Sequence, residues 1–314
     1  MTRVAAVDCG TNSIRLLVAD ADPATGQLVD LDRRMTIVRL GQDVDRTGRL
    51  APEALERTFA ACRAYAEIIR DHGVDPARTR FVATSASRDA ENRDEFVRGV
   101  LGILGVEPEV ITGDREAAFS FTGATRELTG RTDLTTPYLV VDIGGGSTEF
   151  VVGDERVTAA RSVDIGCVRL TERHRPGSPA TPADIAALRA DIDAALDTAA
   201  ATVPLTEART LVGLAGSVAT VAGIALDLPA YDSAAIHHSR IPFERVREIT
   251  TTLLSSTHEE RAAIPVMHPG RVDVIGAGAL ILLTIMERTG AKEVVVSEHD
   301  ILDGIAWHAA EERE

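Results

Sequence analysis

The chain has 314 residues, a formal net charge of −15 and 45% hydrophobic residues. That length fits one large domain or, better, two, with a sizeable core. The acidic balance disfavours a protein whose main task is to coat a nucleic acid polymer. The basic residues are nearly all arginine, with Lys292 the only lysine. Three cysteines, Cys9, Cys62 and Cys167, show no CxxC spacing, which argues against a disulfide scaffold and a structural zinc site. The longest apolar run, around Ile275 to Met286, is about a dozen residues, too short to span a membrane. The N-terminus enters a strand directly, so a soluble, cytoplasmic protein is expected.

Taken in order, residues 3–8 and 14–20 read as a hairpin, followed by a bent strand around Leu28–Leu40. Pro52 opens a helix that stops at Gly73, with Leu55, Phe59, Cys62, Ala66 and Ile69 on one face. A short buried strand at 80–85 precedes a helix from about Arg88 to Leu104. A strand at Val106–Ile111 and a helix after Gly113 follow. Residues 128–137 are polar and suggest a hinge. A second hairpin comes next, with its third strand at Val157–Ile165. Thr181 to Asp184 looks like a capping box for a helix running to about Ala201. A strand at Thr210–Leu214 leads to a helix near Ser217. An apolar helix spans Arg271–Thr289, a last strand Glu293–Ser297, and a last helix runs from Asp300. The repeated order predicts an α/β fold of two duplicated domains, 1–125 and 126–299. The second copy carries a helical insertion, and the last helix, about 300–314, is expected to pack back onto the first domain.

The two hairpins are copies of one pattern. Val7-Asp8-Cys9-Gly10-Thr11-Asn12-Ser13 and Val141-Asp142-Ile143-Gly144-Gly145-Gly146-Ser147 each give an apolar run, an Asp and a loop of small residues. Such loops bring backbone N–H groups close to an anion, and an Asp at a strand end can hold a cation or a water. Two facing hairpins would form a phosphate clamp.

The chain resembles the exopolyphosphatase and guanosine pentaphosphate phosphohydrolase (Ppx/GppA) family of the actin-like superfamily. The resemblance rests on the two hairpin motifs, with the second running on through Thr148-Glu149. It also rests on Ala83-Thr84-Ser85-Ala86-Ser87-Arg88-Asp89-Ala90-Glu91-Asn92, Ile111-Thr112-Gly113-Asp114-Arg115-Glu116-Ala117, Gly213-Leu214-Ala215-Gly216-Ser217 and Ser297-Glu298-His299-Asp300-Ile301-Leu302-Asp303-Gly304. It covers essentially the whole chain. It implies two actin-like (ribonuclease H-like) domains with a cleft between them, in the short form that lacks further helical domains.

The resemblance further implies a Mg²⁺-dependent phosphohydrolase that releases the terminal phosphate of inorganic polyphosphate or of a guanosine penta/tetraphosphate, and a homodimer. Glu116 is then the general base that activates water. Many members carry a second Glu before it, where this chain has Arg115. Gly144, Gly145, Gly146 and Ser147 offer an N–H nest, and Thr11, Asn12 and Ser13 side-chain donors. Arg88, read as opening a helix, supplies a guanidinium, with Asn92 one turn on. Asp142 and Glu149 are the first candidates for Mg²⁺ or water, with Asp8 as a third. Arg15 occupies the Glu149 place in the first copy, so one loop would steer the anion and the other place the metal. Gly216-Ser217 would hold chain phosphates. His237-His238, read as strand neighbours, point to opposite faces and take structural roles, and Cys9 and Cys167 lack a base to serve as nucleophiles. Two other readings stand beside the hydrolase: a non-catalytic alarmone or polyphosphate sensor, and an ATP-dependent phosphotransferase.

Overall fold

A computed structural model describes residues 1–128 and 131–311. The expected hinge at 128–137 includes 129–130, and the expected last helix includes 312–314; these five residues lie outside the described ones. The chain divides into two compact units: Met1–Arg126 with Asp300–Glu314, and Glu127–His299.

The first unit is built on a five-stranded sheet in the order β3-β2-β1-β4-β5. Its strands are β1 (Thr2–Cys9), β2 (Ser13–Asp22), β3 (Gln27–Ile37), β4 (Thr79–Ala83) and β5 (Glu109–Val110). β1 is antiparallel to β2 and parallel to β4. Helices cover both faces, so β1 reads as a continuous apolar run rather than an alternating one. Ala5, Val7 and Cys9 face a core shared with Leu55, Cys62 and Ile69 of the Pro52–Asp71 helix. Val4 and Ala6 face the other way, toward Ile305, Ala306 and Trp307 of the Ile301–Glu311 helix. The C-terminal helix thus belongs to the first unit.

The second unit repeats the plan. Its strands are β6 (Tyr138–Ile143), β7 (Thr148–Gly153), β8 (Val157–Val163), β9 (Thr210–Leu214), β10 (Arg240–Pro242) and β11 (Glu293–Val296), in the order β10-β11-β9-β6-β7-β8. Without β10, this is the order of the first sheet, and β6 again runs antiparallel to β7 and parallel to β9. Both units therefore share one strand order. The Pro182–Ala200 helix starts at the expected capping box, with Thr181 and Asp184 bonding reciprocally. Leu188, Ile192 and Leu196 of that helix pack in one core with Leu139, Val141 and Phe150.

Several expected elements differ in extent. β3 ends at Ile37, not Leu40, because the backbone of Val38, Arg39 and Gly41 turns to bond the first hairpin loop. The single helix expected over 88–104 is two helices, Ser85–Asp89 and Arg93–Leu104, separated by an extended Ala90. The strand expected over 106–111 shortens to β5. The buried apolar helix begins at Ile275, not Arg271. A helix at Cys167–His174, which carries no side-chain N-cap, was not anticipated.

Candidate active site

The duplication extends to hydrogen bonds. In the first hairpin the Gly10 N–H donates to the Ser13 carbonyl at 2.9 Å; in the second, Gly144 N–H donates to Ser147 at 3.0 Å. Asp8 stands directly opposite Arg15, and Asp142 directly opposite Glu149. Opposed residues of an antiparallel pair project to the same face, so each hairpin presents two side chains beside its loop.

In the second unit both of these side chains are acidic. Asp142 and Glu149 are 7% and 1% exposed, and the Ser162 hydroxyl donates to Glu149 Oε1 at 2.7 Å. Two adjacent buried carboxylates form a hard oxygen donor set, and the Ser162 bond fixes the direction of one of them. That set fits Mg²⁺, which commonly takes one or two carboxylates and keeps several waters.

The adjoining loop is held by the Cys167–His174 helix. Gly144 C=O accepts from Cys167 N–H, Gly145 C=O from Val168 and Arg169 N–H, and Gly146 C=O from Arg169 Nε at 2.7 Å. The loop therefore caps the first N–H groups of this helix, groups that no helix can satisfy internally. A trans peptide points its C=O and the next N–H in opposite directions. The N–H groups of Gly145, Gly146 and Ser147 consequently face away from the helix, as a row of donors suited to an anion. Gly144 was expected in that nest, but its N–H is committed to Ser147. Gly166 permits this close approach, since a Cβ there would lie 2.3 Å from the Gly145 carbonyl.

The first hairpin differs in charge. Arg15 donates from Nε and Nη2 to Asp8 Oδ2, at 3.0 and 2.7 Å, and from Nη1 to Asp300. Arg15 is thus spent between two carboxylates, which corrects its expected part in steering an anion. Both bonds to Asp8 fall on Oδ2, so Oδ1 lies outside the pairing with Arg15. Burial pushes the Asp8 carboxyl above its ordinary range, against the pull of Arg15. Thr11 is also partly committed, its hydroxyl lying 2.8 Å from that of Ser85 in a buried contact. The carbonyls of Thr11 and Asn12 accept from Gly41 and from Val38 and Arg39, which turns the N–H groups of Asn12 and Ser13 the other way. The Asn12 and Ser13 side chains are half-buried.

Glu116 lies in the first turn of the Gly113–Thr125 helix, whose N-cap Thr112 accepts from Arg115 N–H at 3.3 Å. It is 8% exposed. Arg88 Nη1 donates to Glu116 Oε2 at 3.2 Å and to the Ile111 carbonyl at 3.1 Å. Arg88 does not open a helix, as expected, but sits in the last turn of Ser85–Asp89, from which it reaches Glu116. Asn92 does not join it: its amide brackets the Leu50 backbone, accepting from N–H at 2.8 Å and donating to C=O at 3.1 Å. Arg115 turns aside, its guanidinium 5.5 Å from the Phe119 ring and 3.6 Å from Glu109.

Ser217 and Gly216 open the Ala215–Ala225 helix of the second unit. Ser217 hydrogen-bonds the Cys167 thiol, which ties this turn to the Gly144–Ser147 loop through Cys167. Burial raises the pKa of Cys167, consistent with a packing role. Arg271, not singled out from sequence, donates from Nη1 to the Gly216 carbonyl at 3.1 Å. Ala215 has φ 68, a left-handed conformation that is costly for a residue with a Cβ.

His237 and His238 do not lie on a strand. Their rings stack at 3.7 Å, and His238 has φ 61. His237 Nε2 and His299 Nδ1 lie 3.1 and 3.2 Å from one oxygen of Glu127, a spacing compatible with a metal. His237 Nδ1, however, accepts from the Glu298 N–H at 3.1 Å. That bond places the imidazole proton on Nε2, facing Glu127. The group is therefore a carboxylate receiving imidazole N–H bonds.

Two duplicated α/β units, each headed by a hairpin that sets a carboxylate beside a loop of small residues, make up the chain. Residues 17–311 match the model of the Ppx/GppA phosphatase family. The chain is 50% identical over 321 residues to the protein named Exopolyphosphatase 2 of Mycobacterium tuberculosis (strain ATCC 25618 / H37Rv), covering 99% of each. A solved exopolyphosphatase-like protein shares 42% identity with a TM-score of 0.92, covering 98% of this chain and 97% of that one. The Ppx/GppA enzyme of Aquifex aeolicus shares 29% identity with a TM-score of 0.81, covering 98% and 99%. The chain belongs to the Ppx/GppA phosphatase family. Among the described residues, no helix is long and apolar enough to cross a membrane.

Proposed function

We propose that the protein is a Mg²⁺-dependent exopolyphosphatase that removes the terminal phosphate of inorganic polyphosphate, with Glu116 as general base. The observation that carries this reading is the buried Glu116 carboxylate, oriented by Arg88 in a capped first turn. The 50% identity to a protein named as an exopolyphosphatase supports the substrate.

Glu116 accepts a proton from water as the water oxygen bonds the terminal phosphorus, and the bridging P–O bond breaks. The products are orthophosphate and a chain one phosphate shorter. Arg88 holds the base and brings positive charge to the anion. Asp142 and Glu149 would hold Mg²⁺, which when bound would offset charge developing on the phosphate oxygens. Gly145, Gly146 and Ser147 donate backbone N–H groups, and the Gly216-Ser217 turn, with Arg271 beside it, takes phosphates further along the chain.

Guanosine pentaphosphate presents the same terminal phosphoanhydride and is the second substrate to try. The test is phosphate release with Mg²⁺ from short polyphosphate, long polyphosphate and guanosine pentaphosphate. Release from polyphosphate is expected. Tight binding of either anion without release would favour a sensor, and release only with an acceptor and ATP a phosphotransferase.

A further inference from the structure

The first turn of the C-terminal helix ends a chain of charged contacts that starts at the first hairpin. Arg15 on β2 carries a donor to Asp300, and Arg33 on β3 carries one to Asp303. Asp300 and Asp303 are 3% and 0% exposed. Asp300 is itself fixed from several directions. Its Oδ1 accepts from Leu302 N–H at 3.0 Å, its own N–H donates to Asp303 Oδ2 at 2.9 Å, and its carbonyl accepts from Gly304 N–H at 3.1 Å.

The same turn abuts the helix that carries Glu116. A Cβ at Gly123 would lie 1.8 Å from the Asp300 carbonyl oxygen, and one at Gly304 would lie 2.1 Å from that of Phe119. The backbones therefore meet with no side chain between them. The Glu116 helix and the Arg15 guanidinium are both referenced to one rigid turn.

We propose that Asp300 is a positioning residue for the reaction: by holding Arg15 it fixes Asp8 in register with the helix that presents Glu116. This rests on the reading of Asp8 and Glu116 given above. A half-buried guanidinium between two carboxylates has one orientation when both are charged. With one made neutral, it is held from one side only, and Asp8 loses its fixed direction.

The test compares Asp300→Asn, Asp8→Asn and the double variant on polyphosphate with Mg²⁺, together with the NMR signal of the Arg15 Nε–H. Asp300→Asn is expected to lower kcat about 10-fold, with KM changed less than about 2-fold. In the Asp8→Asn background it should cost nothing further, because its effect passes through Asp8. Asp300→Glu should recover part of the loss, and the Arg15 Nε–H should exchange faster in Asp300→Asn. An unchanged kcat in Asp300→Asn, a loss that multiplies with that of Asp8→Asn, or an unchanged Arg15 signal would each overturn the proposal. If the unmodified protein released no phosphate, the functional reading would fail first. The Arg15 signal would then still report whether Asp300 fixes the guanidinium.

Discussion

Arg15 stands opposite Asp8 in the first hairpin at the position where Glu149 stands opposite Asp142 in the second, and Arg15 Nη2 lies 2.7 Å from Asp8 Oδ2. One duplicated backbone therefore carries a neutralised pair in one copy and two carboxylates in the other. In the proposed function, the metal-holding role falls to the second copy for this reason. Asp142→Asn should raise the Mg²⁺ concentration for half-maximal activity by about 10- to 100-fold. Ser162→Ala, which removes the bond orienting Glu149, should act in the same direction and by less. A Mg²⁺ titration of phosphate release checks both, and unchanged Mg²⁺ dependence in Asp142→Asn would remove the assignment.

The loop of the second hairpin is held by close backbone contact, and Gly166 is where that contact is tightest. Gly166→Ala should destabilise the protein by about 1–3 kcal/mol. It should also raise KM for polyphosphate, because the Gly145–Ser147 donors move with the loop. Thermal unfolding and steady-state kinetics read the two effects separately.

Arg88 bonds the Glu116 carboxylate and the Ile111 carbonyl through one nitrogen, a geometry that depends on the planar guanidinium. Arg88→Lys should keep the charge yet lower kcat by about 10²-fold, a loss of the size seen when one stabilising donor is removed from an active site. Near-normal kcat in that variant would reduce Arg88 to a charge without a fixed direction.

How much of this was legible in the sequence depends on distance along the chain. The hairpins announce themselves because Asp, Gly and Ser within a few residues dictate the turn, and the Thr181–Asp184 box marks its helix for the same reason. β9 could be bounded because its flanks change character abruptly. The Cys167–His174 helix was not readable, since loop carbonyls rather than a side chain cap its N-terminus. Arg88 was placed at the wrong end of a helix because nothing local signals the break at Ala90. That break depends on Asn92 gripping Leu50, forty-two residues earlier. The Arg15–Asp300 bond joins residues 285 positions apart, and only the fold brings them together.

Glu127 receives N–H bonds from His237 and His299, and these hold its carboxyl well below the usual carboxylate range. A depressed pKa contributes stability above the unfolded value, near 4.5, and loses it as pH falls toward the folded one. The unfolding midpoint of Glu127→Gln should therefore lie below that of the unmodified protein at pH 6, and the gap should narrow as pH falls below about 4.5. Thermal unfolding of both proteins between pH 6 and pH 3 measures it. A gap independent of pH would mean that the carboxylate charge contributes nothing.

In the proposed function, Glu116 activates the attacking water. Phosphate release from polyphosphate by Glu116→Gln, measured beside the unmodified protein at saturating Mg²⁺, tests it most directly. The kcat of Glu116→Gln should be lower by about 10²–10⁴-fold, with polyphosphate binding and unfolding midpoint retained. Phosphate release at the unmodified rate would contradict it.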